Sequence, residues 1–462
     1  MMRTDKDSLG PVQLPEQALY SAGTARGAAN FAGMGRRIAD YPHYVGALAR
    51  LKKAAALANA ACGGLSAETA AAIVRACDEI LDGQHHDAFV IPVAEGSGGT
   101  STNMNFNEVI ANRAGQILGG APGRFARVHP NDHVNLGQST NDVVPSAVKL
   151  ACVLASADLV AAVRALAGAF RDRADANREV LRVGRTCMQA AQPMTYGQLF
   201  DGYAALIDRS AEAVAARARR LTVVPMGGTA IGTGLGTLPG YRDRIADEMT
   251  AVFGFPVTLP ADPFDAMQAA DGFVRFSSEL KILGEALGKV AADLVILSSD
   301  GGAGIGEILL PAVQPGSSIM AGKVNPVIPM MVQQAAFLVH GLDAIVSVAA
   351  LHGQMEINHF EPIIAHALFD SIAILGTACT GFRARCIEGL HVDAERSHEN
   401  LIRSSAISSV FLHRYGYERV TGLVKAGQQS GRGLVQEAIA QGVLAEADVR
   451  ALLASAAAGT SI

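Results

Sequence analysis

Tryptophan is absent from this 462-residue chain, and aromatic residues make up only 5% of it. The six cysteines, at positions 62, 77, 152, 187, 379 and 386, form no C-x-x-C pair and no cluster with histidine at zinc-binding spacing. This distribution argues against a zinc module and against a disulfide framework. Scattered thiols are typical of a reducing compartment, so we expect a cytoplasmic protein.

The sequence also lacks the motifs of several large protein classes. The phosphate-binding string G-x-x-x-x-G-K-[ST] and the G-x-S-x-G turn of the α/β-hydrolases are both missing. A net charge of −5 leaves no basic stripe for nucleic acid. The polar N-terminus does not match a signal peptide. Apolar stretches such as residues 150–169 are interrupted by Asp158 and Arg164, so we expect no membrane span.

The chain is instead rich in apolar residues at helical spacing, and half of all residues are hydrophobic. This periodicity predicts five long helices, over residues 146–176, 197–221, 263–299, 325–351 and 365–387. Little of the sequence alternates with period two, and we expect residues 1–40 to be irregular. Long apolar faces bury against each other in bundles. We therefore predict an all-α fold with a long-helix bundle core and three domains, at residues 1–141, 142–390 and 391–462.

Four polar, glycine-rich loops fall at the ends of these helices, over residues 96–103, 131–142, 184–195 and 316–325. They carry hydroxyls, side-chain amides and the cation of Lys323. All of these groups donate hydrogen bonds to carboxylate oxygens, which suits a small substrate with carboxylates. A serine beside a glycine, with a lysine nearby, could deprotonate a carbon next to a carboxylate. The dianionic intermediate would then need preorganised donors.

Residues 316–326 read Gly-Ser-Ser-Ile-Met-Ala-Gly-Lys-Val-Asn-Pro. This string resembles the signature of the aspartase/fumarase superfamily of the class-II fumarase/aspartase type, in which a proline stands where this chain has Ala321. Residues 98–105, 129–142, 184–186, 228–235 and 353–358 resemble the other motifs of that family. The form around Gln354 and Met355 is more similar to aspartate ammonia-lyases than to fumarate hydratases. The resemblance implies a lyase that uses no metal or organic cofactor, and a homotetramer whose active sites are shared between subunits.

The resemblance also implies a role for each loop. Ser317 would be the catalytic base, acting as an alkoxide. The carboxylate whose charge grows would be held by Thr100, Ser139, Thr140 and Ser318. The other carboxylate would contact Lys323 and Asn325, and the departing amino group would contact Asn141 and Thr186.

Two positions depart from the family pattern. Many members have a histidine at the position of Cys187 and a glutamate at the position of Met330. The change leaves the leaving-group pocket less polar, which weakens the hydratase interpretation because water needs activation there. We expect elimination of ammonia from aspartate to give fumarate. Fumarate hydration, a succinate-type lyase with another leaving group, and a non-catalytic helical scaffold remain alternatives. The expected partners are a small dicarboxylate and further copies of the chain, without nucleic acid or membrane.

Overall fold

The computed structural model describes residues 1–300, 302–404 and 407–459. The helices in these ranges are α1 Ala22–Asn30, α2 Pro42–Ala61, α3 Ala67–Leu81, α4 Thr100–Ile117, α5 Thr140–Ala176, α6 Tyr196–Ala218, α7 Tyr241–Phe253, α8 Pro263–Gln268, α9 Asp271–Leu297, α10 Val327–Leu351, α11 Glu361–Phe382, α12 Ala394–Arg403, α13 Ser408–Tyr415, α14 Tyr417–Ser430, α15 Leu434–Ala440 and α16 Glu446–Ala457. The strands form two-stranded antiparallel pairs, β1 Met2–Asp7 with β2 Gly10–Pro15, β3 Leu181–Thr186 with β4 Gln189–Thr195, and β5 Ile308–Leu309 with β6 His391–Val392. The predicted all-α class is confirmed, since the strands are short additions to a helical chain.

The N-terminal segment is not irregular as expected, because β1, β2 and α1 lie within it. The Arg3 guanidinium organises the hairpin. It donates to the Asp5 carboxylate at 2.9 Å and to the backbone carbonyls of Glu16 and Tyr20 at 2.8 Å each. The two strands contain residues of low strand propensity, such as Asp5 and Gly10, so alternation of apolar residues could not reveal the hairpin.

The single helix expected over residues 263–299 is wrong, because two helices, α8 and α9, occupy this segment. Ala269 ends α8 in an extended conformation, with φ −86° and ψ 122°. Asp271 then begins α9 as an acidic residue in its first turn, where a negative charge interacts favourably with the helix dipole. Val223 and Thr258 form one isolated parallel bridge.

The chain divides into two compact units. The first contains Met1–Val160, Glu212–Ile282 and Leu338–Leu375. Its helix α2 packs against α3 and α7, and α3 packs against α4. Small residues such as Ala47 and Ala54 are fully buried and allow this close approach, while Leu48 and Ile73 fill the core. Each fully buried side chain of that size stabilises the fold by about 1.5–3 kcal/mol.

The second unit contains Ala161–Ala211, Leu283–Phe337 and Gly376–Ile462. Its hairpin β3–β4 packs against α12 and α16. An apolar cluster that includes Leu181, Leu401 and Phe411 joins these elements. The predicted division into three domains stays a prediction, and residues 460–462 of the third predicted domain lie outside the described residues.

Three helical stretches within the described ranges are long and apolar enough to cross a membrane, by length and composition alone. They are Thr140–Ala176, Val327–Leu351 and Glu361–Ile387. Charges such as Asp158 and Arg164 do not bring the first stretch below this range, and the expectation of no membrane span stays a prediction. The share of the apolar window that is buried is 56% in the first and third stretches but only 33% in Val327–Leu351. That helix therefore exposes a large apolar surface.

Candidate active site

In the first unit, the N-terminus of α4 packs against the first turns of α5. Gly99 precedes α4 with φ +93°, and a Cβ atom there would lie 2.9 Å from both methyl groups of Val144. Only glycine allows this conformation and this approach. The exposed Thr100 thus begins a helix beside the start of another. Both helix starts carry a partial positive charge, which favours an anion. Their first N–H groups are already used within the protein, since the Ser101 N–H donates to Ser97 Oγ at 2.8 Å.

Ser139 caps α5. Its hydroxyl oxygen accepts the N–H of Asn141 at 3.2 Å, while its own N–H donates to Asp142 Oδ1 at 2.9 Å. This reciprocal pair resembles a capping box and satisfies donors that the helix itself leaves unpaired. The Thr140 hydroxyl oxygen accepts from Asn103 Nδ2 at 3.4 Å. Both hydroxyls accept from the protein, so each keeps its own proton to donate to a ligand.

Asn141 and Asp142 attach this turn to the glycine-rich loop at residues 227–230. Asn141 Nδ2 donates to the backbone carbonyl of Ala230 at 2.8 Å. Asp142 Oδ2 accepts the N–H groups of Gly227 and Thr229 at 3.0 Å each. Burial raises the pKa of Asp142 to about 7, although these backbone hydrogen bonds oppose the change. Because the nitrogen of the Asn141 amide contacts Ala230, its oxygen Oδ1, an acceptor, points away from that contact.

Beneath residues 135–140 lies a lysine that sequence reasoning missed. Lys52 is fully buried on α2. Its Nζ donates to Asn135 Oδ1 at 3.0 Å and to Gln138 Oε1 at 2.9 Å. In the sequence it is one of three closely spaced charges, with Arg50 and Lys53, in an alanine-rich helical stretch. Its partners lie 83 and 86 residues away. A lone charge on an otherwise apolar helix face was the available signal.

In the second unit, residues 316–325 form a loop that is closed at its base. The Gly316 N–H donates to the carbonyl of Lys323 at 2.7 Å, and Asn325 Nδ2 donates to the carbonyl of Gly316 at 2.8 Å. A Cβ atom at position 316 would lie 2.8 Å from Lys323 O and Asn325 N, so glycine is needed for this closure. Asn325 therefore shapes the loop through the same side chain that the resemblance assigns to substrate binding.

Ser317 and Lys323 have different surroundings in this loop. Ser317 Oγ accepts the N–H groups of Ile319 at 3.2 Å and Met320 at 3.0 Å. Two backbone donors stabilise negative charge on that oxygen, which favours the alkoxide that a serine base requires. Ser318 and Lys323 are exposed. The Lys323 ammonium has no ion-pair partner among the residues that the structure describes.

Thr186 and Cys187 lie at the tip of the β3–β4 hairpin, where Cys187 and Met188 have φ values of +51° and +62°. Both Thr186 and Cys187 are exposed. Behind the tip, Arg185 donates to the fully buried carboxylate of Glu307. The proximity of Arg185 and other donors keeps the pKa of Glu307 low, against the effect of its burial.

Glu307 is therefore a structural anchor for the hairpin. It also accepts from Tyr196 Oη at 2.9 Å and from Asn400 Nδ2 at 3.0 Å. A buried carboxylate is costly unless it is paired and hydrogen-bonded, and Glu307 meets both conditions. Sequence reasoning missed Glu307, because its partners lie 111, 122 and 93 residues away.

The structure thus groups the predicted site residues within each unit. The first unit brings together Thr100, Ser139, Thr140 and Asn141. The second carries Thr186, Cys187, Ser317, Ser318, Lys323, Asn325 and Met330. No hydrogen bond of the described residues joins the hairpin tip to residues 316–325. Met330 lies in the first turn of α10 and is 43% exposed. The roles of all these residues stay predictions.

Comparison with known proteins identifies the family. The lyase family model matches residues 10–341. Aspartate ammonia-lyase of Helicobacter pylori is 40% identical over 96% of this chain and 95% of its own length, and class II fumarate hydratase of Myxococcus xanthus is 38% identical over 96% and 95%. The structure of a fumarate lyase:delta crystallin from Brucella melitensis, bound to cobalt, has a TM-score of 0.95 and 39% identity, covering 99% of this chain and all of that one. The chain therefore belongs to the lyase family of the aspartase/fumarase superfamily and is an enzyme of that family.

Proposed function

We propose that this lyase eliminates ammonia from L-aspartate to give fumarate. The Ser317 alkoxide takes a proton from the carbon beside the one that carries the amino group. The electron pair of that C–H bond delocalises into the adjacent carboxylate, which becomes a dianionic aci-carboxylate. The pair then returns to form the carbon–carbon double bond while the C–N bond breaks and the amine departs.

The orientation of the Asn141 side chain carries the assignment of the leaving group. One N–H of its Nδ2 donates to the carbonyl of Ala230, and its Oδ1, on the other branch of the amide, would accept from a ligand. A substrate ammonium has only donors and needs such an acceptor. The name of the Helicobacter pylori relative agrees with this choice.

The remaining groups support a dicarboxylate substrate. The hydroxyls of Thr100, Ser139 and Thr140, at the positive ends of α4 and α5, would act as donors for the carboxylate that gains charge. Ser318 would add a hydroxyl to that subsite. Lys323 supplies a compact cation for the other carboxylate, on a loop that Asn325 holds closed.

Fumarate hydration is the second candidate, because the Myxococcus xanthus relative is a class II fumarate hydratase. Cys187 and Met330 count against it. A thiol that behaves as a small apolar group and a thioether provide little activation for a water molecule. Another leaving group on a succinate skeleton would also be compatible with this less polar pocket.

The assembly that we propose is a homotetramer, and α10 supports it. Five large apolar side chains of this helix are exposed to solvent. The exposed fraction is 68% for Phe337, 58% for Leu338, 38% for Ile345, 57% for Val348 and 79% for Leu351. Two sets of positions on this helix repeat every seven residues, 338 with 345 and 337 with 344 and 351. This spacing is typical of helices that pack along a shared seam. Light scattering should give about four times 47.9 kDa, and a monomer at micromolar concentration would contradict the assembly.

The test of the function is the ultraviolet absorbance of fumarate after L-aspartate or L-malate is added. We expect formation of fumarate from aspartate to be the faster reaction. Malate as the better substrate would indicate the hydratase, and a rate only with N-substituted aspartates would indicate the altered leaving group. The cytoplasmic location and the absence of a cofactor stay predictions.

A further inference from the structure

A continuous hydrogen-bonded chain connects the buried Lys52 to the predicted carboxylate subsite. Lys52 Nζ donates to Asn135 Oδ1 at 3.0 Å. The same oxygen accepts from Asn103 Nδ2 at 3.1 Å, and that nitrogen also lies 3.4 Å from Thr140 Oγ1. Lys52 and Asn103 are 0% and 2% exposed. The chain therefore runs from the protein interior to a hydroxyl that faces the site.

Lys52 sets the direction of every bond in this chain. An ammonium can only donate, so the atom of Asn135 that faces it is the oxygen. Asn103 must then present its nitrogen to Asn135, and the same nitrogen donates to Thr140. The Thr140 oxygen becomes an acceptor on the protein side, which leaves its proton for a ligand carboxylate.

The side-chain amide of Asn103 is held in this orientation at an energetic cost. Its Oδ1 is buried and has no hydrogen-bond partner among the described residues, which costs roughly 1–3 kcal/mol. Reversing the amide would place two oxygens face to face at Asn135. A second polar group, Gln138, is fixed in the same way, because its Nε2 donates to the carbonyl of Val134 at 2.9 Å and leaves its Oε1 for Lys52.

We infer that Lys52 is a positioning residue for the elimination, which orients the Thr140 hydroxyl and places a positive charge behind the carboxylate that becomes dianionic. This inference rests on the proposed function for its choice of carboxylate. The hydroxyl donors of that subsite are neutral, so a buried cation supplies charge that they lack. A fixed charge in a dry interior acts more strongly than one in water and needs no reorganisation during the reaction.

The titration of Lys52 is consistent with this role. Burial lowers the pKa of Lys52 to about 7, while the proximity of Asp142 on α5 acts in the opposite direction. The additional negative charge of the aci-carboxylate favours the protonated ammonium. The nitronate should therefore hold Lys52 in its charged form at neutral pH more strongly than succinate does.

The test compares Lys52→Met and Asn135→Asp with the wild-type enzyme. Lys52→Met removes the charge at similar volume, and Asn135→Asp keeps Lys52 but cancels its charge with an adjacent carboxylate. Lys53→Met is the matched control, because Lys53 is the next residue on α2 and donates instead to Asp78 at 2.6 Å. Circular dichroism and light scattering establish that each variant is folded and assembled.

The readouts are kcat, KM and the equilibrium binding of two probes, succinate and the nitronate form of 3-nitropropionate. The nitronate carries negative charge on both oxygens, as the aci-carboxylate does. We expect Lys52→Met and Asn135→Asp to lower kcat and nitronate affinity together by roughly 10- to 100-fold, less than the loss of a donor that touches the oxyanion. Succinate affinity and KM should change by less than about threefold, since a ground-state carboxylate gains no charge. Lys53→Met should match the wild-type enzyme.

Equal weakening of succinate and nitronate would show a merely structural role, and an unchanged kcat in either folded variant would overturn the inference. If Lys52→Met does not fold, Asn135→Asp decides the question, because its new ion pair preserves the contact. If the wild-type enzyme uses a substrate other than aspartate, the proposed function fails. The two probes still test Lys52 in that case, and kcat is measured with the substrate that is used.

Discussion

The buried carboxylate of Asp142 accepts a hydrogen bond from the backbone N–H of Gly227 at 3.0 Å, across 85 residues of sequence. The same oxygen accepts the N–H of Thr229, and the other oxygen accepts the N–H of Ser139. One side chain therefore caps α5 and fastens the glycine-rich loop to it. The predicted contacts of Ser139, Thr140 and Asn141 with a substrate depend on that attachment.

Asp142→Asn should loosen this attachment. Asparagine offers one acceptor oxygen where aspartate offers two, so at least one N–H group faces another donor. Leaving a buried donor unpaired costs about 1–3 kcal/mol, and we expect that loss in the free energy of unfolding measured with urea. The value of kcat/KM for aspartate should fall as well. The exposed Asp132→Asn in the same segment is the control, and equal stability of the two variants would contradict the proposed attachment.

Glu79 gives the fold a pH dependence that can be measured. The hydrogen bond from Arg113 lowers the pKa of Glu79 to about 2, with a smaller contribution from His85 and an opposing effect of burial. Arg113 lies on α4 and Glu79 on α3, so this pair joins the helix that begins at Thr100 to its neighbour. A carboxyl group with a lowered pKa stabilises the folded state above its unfolded value of 4.5, and that stabilisation is lost as the pH falls to about 2.

Glu79→Gln should therefore be less stable than the wild-type enzyme at pH 7. The difference between the two unfolding midpoints should shrink between about pH 4.5 and about pH 2. Urea unfolding at a series of pH values measures it. A difference that stays constant across this range would show that the carboxylate charge is not the source.

Residues 316–326 form a contiguous string, so the sequence could indicate their side chains together as a candidate site. The structure places them in one loop that is closed at Gly316, and their roles stay predictions. Asp142 and Gly227 are joined by contacts that no local pattern encodes. The same holds for Lys52 and Asn135, and for Arg185 and Glu307. Hairpin β3–β4 was missed because its strand β4 contains Pro193 and polar residues, which weaken the alternation that marks a strand.

We predict that residues 311–326 close over bound ligand. Ile319 lies within this segment and is 89% exposed. The hydrogen bonds that close the loop at Gly316 and Asn325 would let it move as one piece. Closure would exclude water from the reaction. Hydrogen exchange in residues 311–326 should slow when succinate binds, while exchange in the buried core of α2 should not change. Unchanged exchange at saturating succinate would contradict a closing loop.

Lys323 should affect binding as well as turnover. Its exposed ammonium would hold a carboxylate in both the ground state and the transition state, so Lys323→Met should raise KM and lower kcat for aspartate. Lys323→Arg should restore activity only in part, because a planar guanidinium does not replace a compact charge. Steady-state kinetics of the two variants measure this. A normal KM in Lys323→Met would remove the residue from the carboxylate site.

The most direct test of the account is the rate of fumarate formation from L-aspartate by Ser317→Ala. A base acts only in the transition state, so kcat should fall by a factor of about 10²–10⁴ with little change in KM. The N–H groups that Ser317 caps belong to exposed residues and can bond to water, so the loop should persist, which hydrogen exchange can verify. A variant that keeps more than about a tenth of the wild-type kcat would contradict the assignment of Ser317 as the base.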